Sequence, residues 1–289
     1  MRQMRRRNSV LVLGAGGKVG TLLRRFWART PPRDIRPIFQ TSKRNGDDLV
    51  VWRVGDDPAD LPAARTIVAL WGVTPGSGAA FELNAALGCQ ALNIAAAVGA
   101  GRVLLASSAA VYSESRPSVH CETMDLPMPA NAYGRSKLAM EHAACRWISE
   151  QPRPPRLVSL RLGNVIGADQ LFGKLEQEEV IRLHRFASGS GPVRSYLAVP
   201  DLARVIETLA RSDTPDLPDV LNVAGSQPLA MAELASLAAR KVAWHPAPHG
   251  ALERLQLDTS RLRALVGDCA ASSDPARAIQ SWKALRVPA

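Results

Sequence analysis

The chain has 289 residues and a formal net charge of +10; 46% of its residues are hydrophobic and 21% are charged. This balance is typical of a globular protein with a sizeable core, and it excludes a mostly disordered chain. No apolar run approaches the roughly 18 residues that a membrane-spanning helix needs. The four cysteines lie far apart without a Cys-x-x-Cys pair. We therefore expect a reducing, cytoplasmic setting.

Residues 1–8 form a basic tail with four arginines among the first seven positions, and we expect this tail to be disordered. A signal peptide is not expected, because the apolar run that follows the tail ends at Gly14 after four residues. Such a tail could contact nucleic acid. A solvated arginine-rich surface is the simpler interpretation, so we expect neither nucleic acid nor membrane as a partner.

Short apolar runs alternate with helical patterns along most of the chain. The apolar runs cover residues 9–13, 35–39, 49–54, 66–70, 102–106, 157–162 and 220–223. The helical patterns cover residues 18–28, 79–98, 130–149 and 201–211. Most runs are continuously apolar, as in parallel strands that are buried on both faces. The alternation predicts an α/β fold with a doubly wound parallel sheet.

Two segments interrupt this alternation. Residues 168–194 are polar and charged, and residues 226–289 contain one clear helical pattern, 231–241, followed by a loop with prolines and histidines. We interpret both as a small substrate-capping lobe over the carboxyl edge of the sheet, where ligands bind in such folds. Residues 9–167 and 195–225 then form a dinucleotide-binding domain of the Rossmann type.

A glycine-rich loop follows the first predicted strand directly. Gly14, Gly17 and Gly20 permit a tight turn, a close approach to a pyrophosphate and close packing of helix on strand. The N-terminus of the following helix supplies free N–H groups and a positive dipole end. The position between a first strand and a first helix favours a dinucleotide site over a plain turn.

The end of the second strand indicates which dinucleotide is bound. NAD sites usually have an acidic residue there, but Asp34 precedes the strand and lies at its wrong end. The carboxyl end instead holds Gln40, two hydroxyl residues, Lys43 and Arg44. This set favours NADP over NAD, because cations suit a 2′-phosphate. Asp56, after the third strand, is either an adenine contact or a turn residue.

Tyr133 and Lys137 are four residues apart and therefore lie on one face of a helix. A free tyrosine has a pKa near 10, too high for a base at neutral pH. A neighbouring cation lowers that value, so Tyr133 could exchange a proton with a substrate alcohol or ketone. Ser108, at the carboxyl end of the fifth strand, can orient the same substrate oxygen. The alternative role for Ser107 and Ser108 is capping of the next turn.

These motifs together resemble the extended short-chain dehydrogenase/reductases, the NAD(P)-dependent epimerase/dehydratase family. The resemblance spans about residues 9–265. Its motifs are Gly14–Gly20, Asn84, Ser107–Tyr112, Tyr133 with Lys137, the segments 161–167 and 194–201, and Leu221–Gly225 with Leu257–Ser260.

The resemblance implies roles for individual residues. Ser108, Tyr133 and Lys137 would be catalytic, and Lys137 would also hold the nicotinamide ribose. Substrate contacts would come from Ser108, Ala109, Tyr133, Asn164 and Arg194. The cofactor would be bound by Gly14, Gly16, Gly17, Lys18, Val19, Gly20, Gln40, Lys43, Arg44, Asp56, Leu70, Trp71, Gly72, Ser107, Tyr133, Lys137, Leu162, Asn164 and Val165. For Trp71, packing against the core is an equal alternative.

Two departures from the family pattern bear on the reaction. Dehydratases and decarboxylases of this family carry acids just after the catalytic hydroxyl, where this chain has Ala109 and Ala110. The segment between Gly167 and Arg194 is shorter than in typical nucleotide-sugar enzymes. We therefore expect simple hydride chemistry, and a nucleotide sugar is not the favoured substrate.

No metal site is expected. His120, Cys121 and Glu122 are consecutive and point in different directions. His245 and His249 are separated by prolines that prevent a helix, so a loop is the favoured interpretation.

The sequence thus predicts an NADP- or NAD-dependent oxidoreductase, or an epimerase (an isomerase), that acts on a secondary alcohol or ketone of a sugar-like metabolite. The alternative is a non-catalytic regulatory or redox-sensing protein that binds a dinucleotide on the same fold. A homodimer is left open as the assembly.

Overall fold

The computed structural model describes residues 8–43, 49–76, 80–112, 119–212 and 217–286. The expected disorder of the basic tail falls on residues 1–7, outside these ranges. The strands, in chain order, are β1 (Ser9–Leu13), β2 (Arg36–Thr41), β3 (Leu49–Val51), β4 (Thr66–Ala69), β5 (Arg102–Ser108), β6 (Val119–His120), β7 (Arg156–Leu162), β8 (Asn164–Val165), β9 (Val180–Arg185), β10 (Val193–Arg194), β11 (Tyr196–Leu197), β12 (Val220–Val223), β13 (Leu229–Ala230), β14 (Lys241–Pro246) and β15 (Arg254–Leu257).

The described α-helices lie between and after these strands. They are α1 (Lys18–Arg29), α2 (Leu83–Val98), α3 (Ala132–Ser149), α4 (Gln170–Gln177), α5 (Val199–Arg211), α6 (Met231–Leu237), α7 (Ser260–Val266), α8 (Ala270–Ser273) and α9 (Pro275–Arg286).

Seven strands form the central sheet in the order β12-β7-β5-β4-β1-β2-β3, and all neighbours are parallel. The chain leaves β1 toward β2 and β3 and then returns to β4 on the other side of β1. Ligands in such sheets bind at this reversal point, beyond the carboxyl ends of the strands. The predicted doubly wound α/β fold is confirmed.

The strands are continuously apolar because the sheet is covered on both faces. Val10 and Val12 of β1 belong to one core cluster, and Leu11 and Leu13 belong to another on the opposite face. All four side chains are at most 1% exposed. Complete burial of a side chain of this size contributes about 1.5–3 kcal/mol. A strand that alternated between apolar and polar residues would therefore leave one of the helical layers without a partner.

Small sheets lie outside the central sheet. One has the order β13-β10-β15-β6, and β14 pairs with β9 in a separate two-stranded parallel sheet. The predicted helix over residues 231–241 is wrong in its last turn, because α6 ends at Leu237 and β14 begins at Lys241. His245 consequently lies in a strand rather than in the expected loop. The strand pairs with residues about 60 positions earlier, a non-local contact that no local pattern reveals.

The C-terminal segment packs into two core clusters. Leu262 of α7 and Leu285 of α9 belong to the same core cluster as the central sheet, whereas Trp282 belongs to a separate cluster that includes residues of α4, β9 and α6. Asp201 of α5 accepts hydrogen bonds from the main-chain N–H and the hydroxyl of Ser272, at 2.8 and 2.6 Å. The boundaries between dinucleotide-binding domain and lobe remain a prediction.

Candidate active site

The glycine loop connects β1 to α1 at the reversal point of the sheet. Gly14 has φ +79°, and a Cβ built on it would lie 2.7 Å from the Cβ of Trp71, which follows β4. A Cβ on Gly20 would lie 2.5 Å from the carbonyl oxygen of Gly14. Gly17 is the N-cap of α1, and no side chain caps this helix. The loop is therefore closely packed, and the helix N-terminus keeps donors for a phosphate.

A cavity of about 400 Å³ opens beside this loop. Its lining residues are Gly14, Gly16, Gly17, Gln40, Thr41, Ser42, Lys43, Trp52, Arg53, Val54 and Trp71. A Cβ on Gly16 would lie 2.9 Å from Oγ1 of Thr41, so a larger residue would crowd the wall of the cavity. The uncapped helix, the glycines and the cavity together fit a dinucleotide.

Gln40 is built into the wall of this cavity and is 3% exposed. Its Oε1 accepts the N–H of Gly14 at 2.9 Å, and its Nε2 donates to the carbonyl oxygen of Trp52 at 2.6 Å. Both ends of the amide are thus used inside the protein. The structure places Gln40 as a support of the glycine loop rather than as a free partner for a 2′-phosphate.

The cations at this end of the cavity only partly match the predicted set. Lys43 is exposed and lines the cavity, whereas Arg44 lies outside the described residues. Arg53, which the sequence reasoning missed, also lines the cavity, and its Nε donates to the carbonyl oxygen of Ser42 at 3.1 Å. Asp56 accepts the N–H of Arg53 at 2.7 Å. This contact favours the turn interpretation of Asp56.

The segment after β4 runs from the cavity to α3, the helix that carries Tyr133 and Lys137. Trp71 lines the cavity, and a Cβ on Gly72 would lie 3.0 Å from Nζ of Lys137. Asn84, fully buried in α2, accepts the N–H of Val73 at 2.8 Å and donates to the hydroxyl of Ser136 at 2.9 Å. Leu70 packs on the core beneath this segment. Asn84 therefore clamps the Trp71–Gly72 turn to α3.

The helix α3 carries Tyr133 in its first turn. Asn131 caps the helix by accepting the N–H of Gly134 at 2.8 Å. A Cβ on Gly134 would lie 2.0 Å from the carbonyl oxygen of Ala110. The start of the helix therefore lies directly against the turn that follows β5, the strand that carries Ser108.

Tyr133 and Ser108 are brought together as predicted. The Ser108 hydroxyl lies close enough to Tyr133 to affect its pKa, and it accepts the N–H of Ala110 at 3.1 Å. The Phe81 ring lies 5.8 Å from the Tyr133 ring. Burial raises the pKa of Tyr133 above its usual value, and the nearby Ser108 hydroxyl acts in the opposite direction. The expected net lowering of this pKa is therefore not seen in the protein alone, and at neutral pH Tyr133 is a phenol that can donate a proton.

Lys137 is buried one turn beyond Tyr133. Its Nζ donates to the carbonyl oxygen of Ala106 at 3.0 Å, which fixes it between α3 and β5. Burial lowers the pKa of Lys137 to about 8, and the nearby carboxylate of Glu141 acts in the opposite direction. The ammonium is thus desolvated and held beside Gly72, between the cavity and Tyr133.

A buried polar network, which the sequence reasoning missed, lies behind these residues. The Ser107 hydroxyl donates to the carboxylate of Glu141, so this hydroxyl points into the network and not into the crevice. The Glu141 carboxylate is paired with Arg161, with Nη2 to Oε2 at 2.8 Å. Arg161 also donates to the hydroxyl of Tyr112 at 2.8 Å. The only sequence signal was an acid four residues after Lys137 on the same helix.

Several other predicted site residues lie at or just beyond the ends of β5 and β7, and Arg194 lies on β10. Ala109 and Leu162 are buried in the core, and Val165 is buried beside α1. The side-chain amide of Asn164 donates to Asp169 at 2.9 Å. Arg194 donates to the main-chain carbonyls of Val193, Glu253 and Leu252 at 2.6–2.9 Å. The structure thus shows Arg194 joining β10 to the segment just before β15, and its predicted substrate contact remains a prediction.

A comparison with models of protein families shows which family has this fold. Residues 66–224 match the NAD dependent epimerase/dehydratase family, more than half of the chain. The chain belongs to this family. The matched region includes Ser108, Tyr133 and Lys137 and begins after the glycine loop. A search of curated proteins finds no match.

Solved structures with this family's fold superpose along almost the whole chain. MoeE5 in complex with UDP-glucuronic acid and NAD is 20% identical, with a TM-score of 0.77 over 97% of this chain and 100% of that one. UDP-glucose 4-epimerase of Thermus thermophilus, complexed with NAD, is 21% identical, with a TM-score of 0.75 over 97% and 100%. The UDP-Glc/GlcNAc 4-epimerase of Campylobacter jejuni is 16% identical, with a TM-score of 0.72 over 96% and 99%.

Metal-binding and membrane-spanning features are both absent from the described ranges. Within them, no set of three or more His, Cys, Asp and Glu side chains is grouped so that it could hold a metal ion. None of the helices in the same ranges combines the length and the apolar character that crossing a bilayer requires.

Proposed function

We propose that this family member is an NAD(P)-dependent oxidoreductase or epimerase that acts on a secondary alcohol or ketone of a sugar-like metabolite. The observation that carries the proposal is the position of Tyr133 next to Ser108, one helical turn before the buried ammonium of Lys137. Trp71 lines the glycine-loop cavity, and the next residue, Gly72, packs against Nζ of Lys137. A phenol and a hydroxyl that share one partner can bind a substrate oxygen between them.

In this mechanism the chain positions the substrate oxygen and moves one proton. The Ser108 hydroxyl donates to that oxygen, and the Tyr133 phenol delivers a proton to it in reduction or removes one in oxidation. A bound dinucleotide would supply the hydride donor or acceptor. The buried Lys137 ammonium lies one helical turn beyond Tyr133. A positive charge near Tyr133 would counter the burial that raises its pKa.

The residues next to Ser108 support simple hydride chemistry over elimination. Elimination of water needs additional acid or base groups near the reacting carbons. The positions directly after Ser108 are Ala109 and Ala110, which carry no ionisable group. Oxidation, reduction and epimerisation through a ketone need only the proton exchanged by Tyr133.

We propose NADP as the preferred cofactor because of the charge at the adenosine end of the cavity. Lys43 and Arg53 line it, and none of its lining residues within the described ranges is acidic. A 2′-phosphate gains from two cations, whereas the ribose hydroxyls of NAD are usually bound by a carboxylate. Two of the related structures contain NAD, so both dinucleotides belong in the test.

The proposed substrate is a polyhydroxylated metabolite. Three related structures are named for or contain UDP-sugars, and the polypeptide between Gly167 and Arg194 is short in this chain. A test panel therefore pairs free sugars and sugar phosphates with UDP-sugars. A homodimer and a cytoplasmic location are further parts of the proposal.

The test has two stages. The first measures the affinity for NADP and NAD by quenching of tryptophan fluorescence, which Trp52 and Trp71 beside the cavity should report. We expect NADP to bind more tightly, and Lys43→Glu with Arg53→Glu to weaken NADP by about tenfold or more while NAD changes little. Tighter binding of NAD would contradict the NADP assignment.

The second stage measures turnover across the substrate panel. Tight cofactor binding without turnover of any substrate would contradict catalysis and favour a regulatory or sensing protein. Binding of neither dinucleotide would contradict the proposed function as a whole.

A further inference from the structure

Glu141 is a buried carboxylate on the catalytic helix that takes no part in the proton transfer proposed above. It is 4% exposed and lies four residues beyond Lys137, hence on the same helix face. Its carboxylate accepts hydrogen bonds from Ser107 on β5 and from Nε and Nη2 of Arg161 on β7. One side chain therefore joins three elements of the active site.

The network continues from Arg161 to the edge of the sheet. Its guanidinium lies 5.0 Å from the centre of the Tyr112 ring and donates to the Tyr112 hydroxyl. That hydroxyl is 3.0 Å from Oδ1 of Asn222 on β12. The Asn222 amide donates to the carbonyl oxygens of His120 and Asp258. Every side chain in this series has a partner on both sides, so the network has one well-defined arrangement.

Stability alone does not account for a buried ion pair at this place. Removal of two charges from water costs several kcal/mol per ion, and apolar side chains of similar volume often stabilise a fold equally well. The Glu141–Arg161 ion pair lies next to the residues proposed above to be catalytic. Ser107 directly precedes Ser108, and Glu141 follows Lys137 by one helical turn.

The charges around Lys137 show what Glu141 contributes. On α3, Glu141 is the carboxylate that acts against the lowering of the Lys137 pKa by burial. On β5, the neutral carbonyl of Ala106 accepts from Nζ. From β7, Arg161 faces Glu141, and on α3 the Cys145 thiol has a pKa raised first by burial and then by Glu141.

We propose that Glu141 is a positioning residue for the catalytic triad of Ser108, Tyr133 and Lys137. Its bond to Ser107 and its ion pair with Arg161 fix the rotation of α3 against β5 and β7, and they hold its carboxylate one helical turn beyond Lys137. This inference rests on the proposed function for its catalytic meaning. The physical link between Glu141 and Lys137 can be tested without a substrate.

The direct test is titration of Lys137 by nuclear magnetic resonance in protein whose lysines carry a carbon-13 label. The chain has six lysines, so the spectrum is simple, and the Lys137→Met variant identifies the signal. We expect Glu141→Gln to shift the Lys137 midpoint to lower pH. Glu150→Gln is the matched control, because it removes the same charge from an exposed position at the end of the same helix.

A second variant keeps the test decisive if Glu141→Gln, which leaves Arg161 buried without its carboxylate, fails to fold. Glu141→Leu with Arg161→Met replaces both charges by apolar groups of similar size, and such replacements usually preserve a fold. We expect a folded protein whose Lys137 midpoint is again lower. An unchanged midpoint in a folded variant would overturn the inference.

Kinetics then separate positioning from a merely structural role. With any substrate that the panel identifies, we expect kcat of the double variant at pH 7 to fall by about tenfold or more. On the alkaline side of the pH profile, its kcat should decline at a lower pH than that of the unmodified protein. The Kd for the cofactor should change by less than about threefold. Equal loss of cofactor affinity and kcat would instead indicate general disorder of the site and overturn the positioning role. Failure of the unmodified protein to bind a dinucleotide would contradict only the proposed function, since the Lys137 titration does not depend on it.

Discussion

The side-chain oxygen of Gln40 accepts the main-chain N–H of Gly14 at 2.9 Å. This bond joins the end of β2 to the first glycine of the loop, and the other end of the same amide binds the carbonyl oxygen of Trp52. A single buried side chain thereby holds the glycine loop and the end of β3 at a fixed separation. Contacts within the protein therefore hold the wall of the cavity in place, which reduces the ordering cost of binding.

Replacement of Gln40 by leucine should damage both the fold and the cofactor site. It leaves the Gly14 N–H and the Trp52 carbonyl without their partner, at a cost of about 1–3 kcal/mol for each buried group. We expect a lower thermal unfolding midpoint and weaker dinucleotide binding, measured by calorimetry and fluorescence titration. The control is Gln170→Leu at an exposed position, which should change the unfolding free energy by less than about 0.5 kcal/mol. Equal effects of the two substitutions would contradict the role of Gln40.

Gly20 should tolerate no side chain, although it lies inside a helix. A Cβ there would lie 2.5 Å from the carbonyl oxygen of Gly14 and 2.6 Å from Cα of Ala15. Gly20→Ala should destabilise the protein by about 1–3 kcal/mol through overpacking. Gly173→Ala in α4 is the matched control, because a Cβ added there would meet no atom within 4 Å. The control should stabilise by about 0.5–1 kcal/mol, since alanine favours helix. Chemical denaturation measures the change in unfolding free energy for each substitution. Changes of the same sign for Gly20→Ala and Gly173→Ala would refute the packing argument.

Tyr133→Phe should abolish turnover without loss of the cofactor. The substitution removes the hydroxyl that exchanges the proton and keeps the ring that packs against Phe81. We expect kcat to fall by about 10²–10⁴-fold, the usual contribution of a positioned acid or base. Steady-state kinetics and dinucleotide titration measure the two quantities separately. Full turnover by this variant would exclude Tyr133 as the proton donor.

Lys137→Met should stabilise the protein at neutral pH while it inactivates the site. The folded pKa of Lys137 is about 8, against 10.5 for an unperturbed lysine. Below pH 8 both states are protonated, so the full cost of burying the charge is present. Between the two pKa values the folded state loses the proton and the unfolded state keeps it. The free-energy cost of burying the Lys137 charge therefore decreases as the pH rises. At pH 7 we expect the unfolding free energy of Lys137→Met to exceed that of the unmodified protein by about 1–2 kcal/mol. This difference should be smaller at about pH 9.5.

Thermal unfolding at the two pH values measures this gain. The exposed Lys283→Met on α9 is the control, and it should show no such pH-dependent difference. A gain for Lys137→Met that is equal at both pH values would show that packing, rather than charge burial, is responsible.

The sequence predicts the central sheet well because its inner strands, such as β1 and β4, are buried on both faces and are mostly apolar. It also predicts the meeting of Ser108 and Tyr133, since the carboxyl end of β5 and the first turn of α3 must lie at the same edge. It does not reveal the burial of Gln40, because a polar residue after a strand looks like a loop residue. β14 was missed for a different reason, since its partner β9 is distant in sequence.

Glu141 illustrates the limit of sequence reasoning about the site. An acid four residues after a lysine on a helix usually indicates an exposed ion pair. Only the position of β7 shows that Arg161 reaches the same carboxylate and that all three groups are buried. Spacing along one helix thus identifies candidate partners, while the packing of a third element decides their roles.

The strand order has a consequence for the growing polypeptide during synthesis. β7 is flanked by β5 on one side and by β12 on the other, and β12 is made about 60 residues after β7 ends. Until β12 leaves the ribosome, the outer edge of β7 has unpaired main-chain groups that can join a strand of another chain. A chain truncated before Val220 should therefore aggregate, and the order in which the sheet closes makes the last part of synthesis the period of greatest risk.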